Sequence, residues 1–267
     1  MSDVQAPILV DFKGPVAVLT LNMPGALNAL GEQMLLALQT ALDELAQNRQ
    51  VKVVILANAG DHFCAGHDLK EMTARRGDAD GGSAYFENLF ALCSEVMMSV
   101  VRLPQPVIAQ VKGVATAAGC QLVASCDLAV GSQTARFATP GVNIGLFCST
   151  PMVALSRNVG RKHAMEMLLL GDFVSASKAA EIGLLNKVVP DQELEPSVMA
   201  LADQIVSKSP KAIKIGKEAF YKQAELGLDE AYAYAAKVMA ENMLEADAKE
   251  GIGAFLGKRS NPQWGED

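Results

Sequence analysis

The stretch Gly60-Asp-His-Phe-Cys-Ala-Gly-His-Asp-Leu-Lys70 decides how this chain is read. It follows Val51-Lys-Val-Val-Ile-Leu-Ala57, a mostly apolar run expected of a strand covered on both faces. Small residues at Ala65 and Gly66 then predict a strand-to-helix turn, where a ligand can approach exposed backbone N–H groups. A tight turn with no ligand has the same local signature, so these residues alone leave both readings open.

A second turn of this kind, Gly113-Val-Ala-Thr-Ala-Ala-Gly-Cys-Gln121, follows a shorter apolar run over 107–111. Close packing of a buried helix on a sheet explains its small side chains equally well. Two such turns in one chain can aim two N–H groups at one carbonyl oxygen, forming an oxyanion hole. A third segment, 137–151, reads as a long loop of apolar and small polar residues, and loops of that length in a compact domain are often functional.

Working outward, residues 8–22 read as two strands, ILVDF and VAVLTLN, joined at Lys13-Gly14-Pro15 as a hairpin. Leu35, Leu38, Leu42 and Leu45 fall at helical spacing within 30–47. A short strand is expected over 128–130, and helices over 84–103, 118–126, 161–169 and 176–182. Strands alternating with helices predict an α/β core around a largely parallel sheet in residues 1–193. From 194 to 267 only helix-compatible segments occur, which predicts a helical region. The polar, glycine-rich patch 78–83 is the best candidate for a mobile loop.

The chain has 267 residues, half of them hydrophobic and 20% charged, which excludes wholesale disorder. Its 23 Lys and Arg against 30 Asp and Glu leave a net charge of −7, which argues against broad nucleic-acid binding. The five cysteines form no CxxC pair, so reduced thiols in a cytoplasmic protein are expected. Residues 1–7 lack the basic and apolar regions of a secretion signal. The charge-free stretch 138–156 contains Pro140, Gly141, Gly145 and Pro151 and is not expected to span a membrane as a helix.

GxSxG, Walker A and GxGxxG patterns are absent, and His62, His67 and His163 lack HExxH spacing, so no metal is expected. Lys208, Lys211, Lys214 and Lys217 recur every third residue along one helical ridge. Such a ridge is either a solvated face or a phosphate-binding edge.

Taken together, these segments resemble the crotonase superfamily, the enoyl-CoA hydratase/isomerase fold. Asn22-Met-Pro-Gly-Ala-Leu-Asn-Ala-Leu30 resembles its early LNAL segment, and Phe63-Cys-Ala-Gly-His-Asp-Leu69 its F-x-A-G-x-D-[LI] turn. Val111-Lys-Gly and Gly119-Cys-Gln-Leu-Val-Ala-Ser-Cys-Asp127 resemble its second turn and following helix. Segments near 168–180, 183–189 and 254–259 follow in the family's order.

The resemblance implies a ββα-repeat core with a C-terminal helical trimerisation region, assembled as a homotrimer or homohexamer. It implies an acyl-CoA thioester as substrate or ligand and no separate cofactor. The thioester carbonyl would sit between the N–H groups of Ala65 and Ala118. Other substrate contacts would come from around Ala26 and from Ala65, Gly66, His67, Asp68 and Leu69. Phe255 and Lys258 would reach a neighbouring subunit's nucleotide.

Two departures bear on mechanism. The family's hydratases carry one glutamate at the end of the second turn, where this chain has Gln121, and another after a proline in the third loop, where Gly141 follows Pro140. Positioned acid–base groups contribute about 10²–10⁴-fold each, and neither Gln121 nor Gly141 can take up a proton at neutral pH. The candidate replacements are His67 and, on the third loop, Cys148, Ser149 and Asn143. His67 lies in an A-G-H-D turn that resembles the family's decarboxylase branch, as does 139–145. That branch has a tyrosine in the third loop, where this chain has Cys148.

Three readings follow. The first is an acyl-CoA enzyme that stabilises an enolate without the two-glutamate pair, with decarboxylase- or thioesterase-like chemistry. The second is a non-catalytic acyl-CoA-binding modulator. The third is an enoyl-CoA hydratase with relocated acid–base groups.

Overall fold

The computed structural model describes residues 6–265; residues 1–5, part of the segment read for a leader, and residues 266–267 lie outside the described residues. The strands in chain order are β1 (Ile8–Lys13), β2 (Val16–Leu21), β3 (Val53–Asn58), β4 (Val107–Val111), β5 (Val114–Thr116), β6 (Leu128–Ser132), β7 (Arg136–Ala138), β8 (Val174–Ser175) and β9 (Lys187–Val189). The helices are α1 (Glu32–Gln47), α2 (Leu69–Arg75), α3 (Ser83–Arg102), α4 (Ala118–Ser125), α5 (Pro151–Asn158), α6 (Arg161–Leu170), α7 (Ala176–Glu181), α8 (Leu194–Val206), α9 (Pro210–Gln223), α10 (Leu228–Asn242) and α11 (Ala246–Leu256).

The larger sheet has the order β1-β2-β3-β4-β6-β9 and is parallel beyond the β1-β2 hairpin. Strand alternation explains why 53–57 is apolar throughout. Val54 and Leu56 enter the main core with Leu35, Leu38 and Leu42 of α1 and Val96 and Val100 of α3. Val53, Ile55 and Ala57 point to the other face and pack with Leu194, Val198 and Ala202 of α8. The helical region beginning at 194 therefore supplies part of the sheet's own cover.

Helix α3 is long and apolar enough to cross a membrane by length and composition. It buries Leu89, Cys93, Val96, Met97 and Val100 in the protein core, which accounts for that apolar face.

A second, three-stranded sheet, β5-β7-β8, stands beyond the C-terminal ends of the main strands. With strands of two or three residues, it is too short for the alternation that marks longer strands. Helix α5 likewise lies where no helix was expected, whereas α2 is the helix into which the predicted turn at 60–70 leads. The stretch 137–151, read as one loop, contains the end of β7 and a short 3₁₀ turn, Pro140–Ile144. The patch 78–83 is a turn fixed by its own hydrogen bonds: Asp80 accepts from the N–H groups of Gly82 and Ala84, both at 2.9 Å.

The four lysines of the ridge do not share one environment. Lys217 is buried, donates to Asp127 at 2.7 Å, and also donates to the backbone oxygens of Val100 and Gln105 at 3.1 and 3.0 Å. Asp127 in turn accepts from the Tyr221 hydroxyl and the Val107 N–H, so this network clamps α9 against the start of β4. Lys208 precedes α9, and Lys211 lies near Glu245 at 3.8 Å.

Candidate active site

The turns after β3 and β4 lie together at the C-terminal end of the parallel sheet. Cys64 forms a parallel bridge to Ala115. The Cys64 N–H donates to Val114, and the Thr116 N–H donates back to Cys64 at 2.9 Å. A Cβ on Gly119 would run into the Cys64 carbonyl oxygen. Gly66 adopts φ +90°, and a Cβ there would stand 2.9 Å from the Ala117 Cβ and 3.3 Å from the Ala118 nitrogen. Only glycine brings the two turns this close.

Ala117 carries strain at the junction. At φ 49° and ψ −119° it sits in a region that side chains disfavour, and it begins helix α4. The bend turns the Ala118 N–H out as one of the first, unpaired donors of the helix. Helix dipoles add partial positive charge at that end.

The early segment 22–30 runs alongside the first turn. Buried Asn28 accepts from the Met23 N–H and donates to the carbonyls of Ala59 and His62 at 3.0 and 2.9 Å. Leu27 and Asn28 both adopt left-handed φ values, 53° and 51°. The Leu30 N–H donates to the Gly66 carbonyl at 2.7 Å.

This pairing corrects one expectation. The Ala65 N–H donates to the Leu27 carbonyl at 3.1 Å and is not free to serve an oxyanion. The His67 N–H, on the other side of Gly66, has no partner among the described residues.

A cleft of about 430 Å³ opens over these turns. Ala65, His67, Leu69, Ala118, Gly141 and Cys148 line it as expected. Met72, Phe90, Ala117, Ile144, Leu146 and Phe147 also line it; Ala117 and residues 144–147 fall in the second turn and third loop singled out from the sequence, whereas Met72 and Phe90 were not foreseen. Their signal is non-local: Phe90 reaches the cleft only because α3 crosses behind the first turn. Among the described residues, no carboxylate, lysine or arginine lines it.

Gln121 is buried on the first turn of α4, its Oε1 has no partner among the described residues, and it is not among the lining residues. Ala26, Gly66 and Asp68 also stand back from the cleft wall. Asp68 instead caps α2, accepting from the N–H groups of Lys70 and Glu71 at 2.8 and 3.2 Å. Phe255 and Lys258 lie on or just past α11, where Phe255 is 81% exposed and away from this cleft.

The His67 ring is fixed on one side. Its Nδ1 lies 3.0 Å from the Leu30 carbonyl, which can only accept, so Nδ1 carries the hydrogen. The ring meets Phe90 edge to face at 5.3 Å, and its Nε2 is buried without a partner among the described residues. Burial pushes the His67 pKa down, opposed by the Leu30 contact and by Glu71. Neutral His67 thus presents a bare lone pair at Nε2.

Gly141 is packed from the loop that follows it. A Cβ there would lie 2.9 Å from the Leu146 carbonyl oxygen and 3.0 Å from the Cys148 Sγ. The Cys148 thiol is raised by burial, with the Gly141 N–H opposing. Cys64 and Cys120 are pushed up to about 12 by burial, so the thiols are protonated at neutral pH. All five cysteines are free and buried.

Residues 11–267 match the family model described as enoyl-CoA hydratase/isomerase. The mouse protein named enoyl-CoA hydratase domain-containing protein 3, mitochondrial, is 48% identical over 246 residues, 92% of this chain and 80% of that protein. The crystal structure of an enoyl-CoA hydratase from Mycobacterium smegmatis has a TM-score of 0.92 and 52% identity, covering 97% of this chain and 98% of that one. Human enoyl-CoA hydratase domain-containing protein 3 gives a TM-score of 0.91 at 46% identity, covering 97% of this chain and all of the other. With the α/β fold, the two interlocked turns and these likenesses in agreement, the chain belongs to the enoyl-CoA hydratase/isomerase family of the crotonase superfamily.

Proposed function

We propose that this protein binds acyl-CoA thioesters in the cleft over α4 and stabilises their enolate, with His67 as the proton-handling group. The observation that carries the reading is the unpartnered Nε2 of His67 in a cleft lined by no carboxylate. The thioester carbonyl oxygen accepts from the N–H groups of Ala118 and His67, in place of the Ala65 donor expected from sequence. Each oxyanion donor of this kind is worth about 3–4 kcal/mol in the transition state.

In this scheme Nε2 of His67 takes the α-proton. The electron pair of that C–H bond moves onto the thioester oxygen as the enolate, and reprotonation at carbon returns Nε2 to its lone-pair form. Where the α-carbon bears a carboxylate, loss of CO₂ supplies the same electron pair, and the proton that ends on carbon comes from solvent water by way of Nε2 of His67, which returns to its lone-pair form. By the resemblance, Gln121 and Gly141 stand where the family's hydratases use glutamates, so two-carboxylate hydration is not part of this mechanism.

One observation favours a second reading, hydration: the Mycobacterium smegmatis relative is titled an enoyl-CoA hydratase. Under that reading His67 positions the attacking water. Comparing hydration of crotonyl-CoA with decarboxylation of a malonyl-type thioester, each in wild type and His67→Phe, separates the two. A protein that binds both thioesters and turns over neither supports the modulator alternative.

Association into trimers or pairs of trimers is part of the proposal. Leu228, Leu244, Phe255 and Leu256 are 73–81% exposed on or beside α10 and α11, a concentration of apolar surface suited to association. The buried free thiols suit a reducing compartment such as the cytoplasm; the mouse relative is named as mitochondrial.

A further inference from the structure

We infer that a second ligand site lies at the opposite pole of the sheet and takes a phosphorylated small molecule carrying a hydrogen-bond donor, an adenine nucleotide being the type. The loops that precede β3 and β4 meet helix α9 there, whereas the acyl cleft lies past the C-terminal ends of those strands. Two adjoining clefts of about 340 and 670 Å³ share Ala46, Gln47, Pro104 and Lys214. Their volumes fall within or near the range of small-molecule pockets.

The charge at this pole is opposite in sign to that of the protein. Arg49, Lys52, Lys211 and Lys214 line the smaller cleft, with no carboxylate among its lining residues. Arg102 and Lys222 join Lys214 in the larger one, where Glu218 is the one lining carboxylate. In a chain of net charge −7, this is a local concentration of cations. Lys222 lies over the Tyr234 ring, and Lys217, at the floor, is committed to Asp127. Arg49, Lys52, Arg102 and Lys214 form no ion pair with any described residue. Several cations held without counter-charges favour a multiply charged anion over a simple carboxylate.

A second, independent observation gives the ligand its donor. Gln105 lines the smaller cleft and is buried, 6% exposed. Its Nε2 donates to the carbonyls of Leu45 and Asn48 at 2.8 and 3.2 Å, which fixes the amide's orientation. Its Oε1 is therefore the acceptor end, and it has no partner among the described residues. A buried unsatisfied acceptor calls for a donor, and an exocyclic amino group supplies one. Met98, Val101 and Leu103 add an apolar wall against which a planar ring can lie.

The test is calorimetric titration of the full-length protein with ATP and with inorganic triphosphate, in wild type and in the Lys52→Ala/Lys214→Ala variant. Saturable ATP binding is expected, about tenfold tighter than triphosphate and weakened at least about tenfold in the variant. Butyryl-pantetheine, a thioester without a nucleotide, is expected to leave ATP binding unchanged. Absence of ATP binding, equal affinity for triphosphate, an unaffected variant, or displacement of ATP by butyryl-pantetheine would each overturn the inference. None of these outcomes depends on whether the acyl cleft is catalytic.

Discussion

The Nδ1–H of His67 donates to the Leu30 carbonyl oxygen across 3.0 Å, and this bond leaves the opposite ring nitrogen as a bare, buried lone pair. A histidine held this way is oriented, neutral and basic at one defined atom. Its chemistry follows from the early segment 22–30 as much as from the turn that carries it.

Because burial lowers the His67 pKa, kcat/KM is expected to fall on the acid side with a midpoint below about 6.5, the ordinary histidine value. The same shift acts on stability. Below about pH 6.5 the unfolded chain takes up the proton more readily than the folded one, so stability is full at neutral pH and declines as pH drops through the folded value. His67→Phe keeps the backbone N–H and removes Nε2. It is expected to lower kcat by about 10²–10⁴-fold with little change in KM, and to abolish the acid limb. Steady-state kinetics across pH check this.

Gly66 and Ala117 are the contact on which the oxyanion geometry rests. Gly66→Ala adds a Cβ 2.9 Å from the Ala117 Cβ at a φ of +90°, and is expected to cost at least about 1–3 kcal/mol and to displace the donor pair. Ala117→Gly relieves the strain at φ 49° and is expected to be neutral or stabilising by up to about 1 kcal/mol. Thermal unfolding of both variants measures the difference, and the double variant should recover part of the loss.

Replacing Gly141 by glutamate is expected not to restore hydration. Leu146 and Cys148 already occupy the space beside it, so even Gly141→Ala should destabilise by about 1–3 kcal/mol and weaken thioester binding. Denaturant unfolding with butyryl-CoA titration reads both effects. A stable Gly141→Glu protein with strong crotonyl-CoA hydration would reverse this view of the loop.

Lys217→Met removes one half of a buried pair and leaves Asp127 charged behind it, a loss of about 3–5 kcal/mol. Changing both residues, Lys217→Met with Asp127→Asn, is expected to cost less than the single change. Denaturant unfolding of the three variants checks the coupling, and kcat per folded molecule should stay at the wild-type value.

The parts of this fold legible in the sequence are those set by near neighbours. The alternation of β2, the continuous apolar run of β3, the leucine spacing of α1 and the glycines at 66 and 119 each announce their own local structure. The strands of two or three residues in the second sheet carry too few positions for a pattern. The candidate site was legible as two turns, but not in its wiring. Which N–H is free depends on Leu27, far from Ala65 in the chain, and the role of Lys217 depends on Asp127. Ridge spacing alone cannot distinguish a solvated lysine from one buried against a carboxylate. Phe90 reaches the cleft through tertiary packing alone.

The central claim is that this cleft forms a thioester enolate with His67 as the base. The most direct test is exchange of the α-hydrogens of butyryl-CoA in D₂O, followed by mass spectrometry, with wild type beside His67→Phe. The account predicts deuterium incorporation by wild type and its loss in the variant, with butyryl-CoA binding retained by both. Binding without exchange in wild type, or exchange at the same rate in the variant, would contradict it.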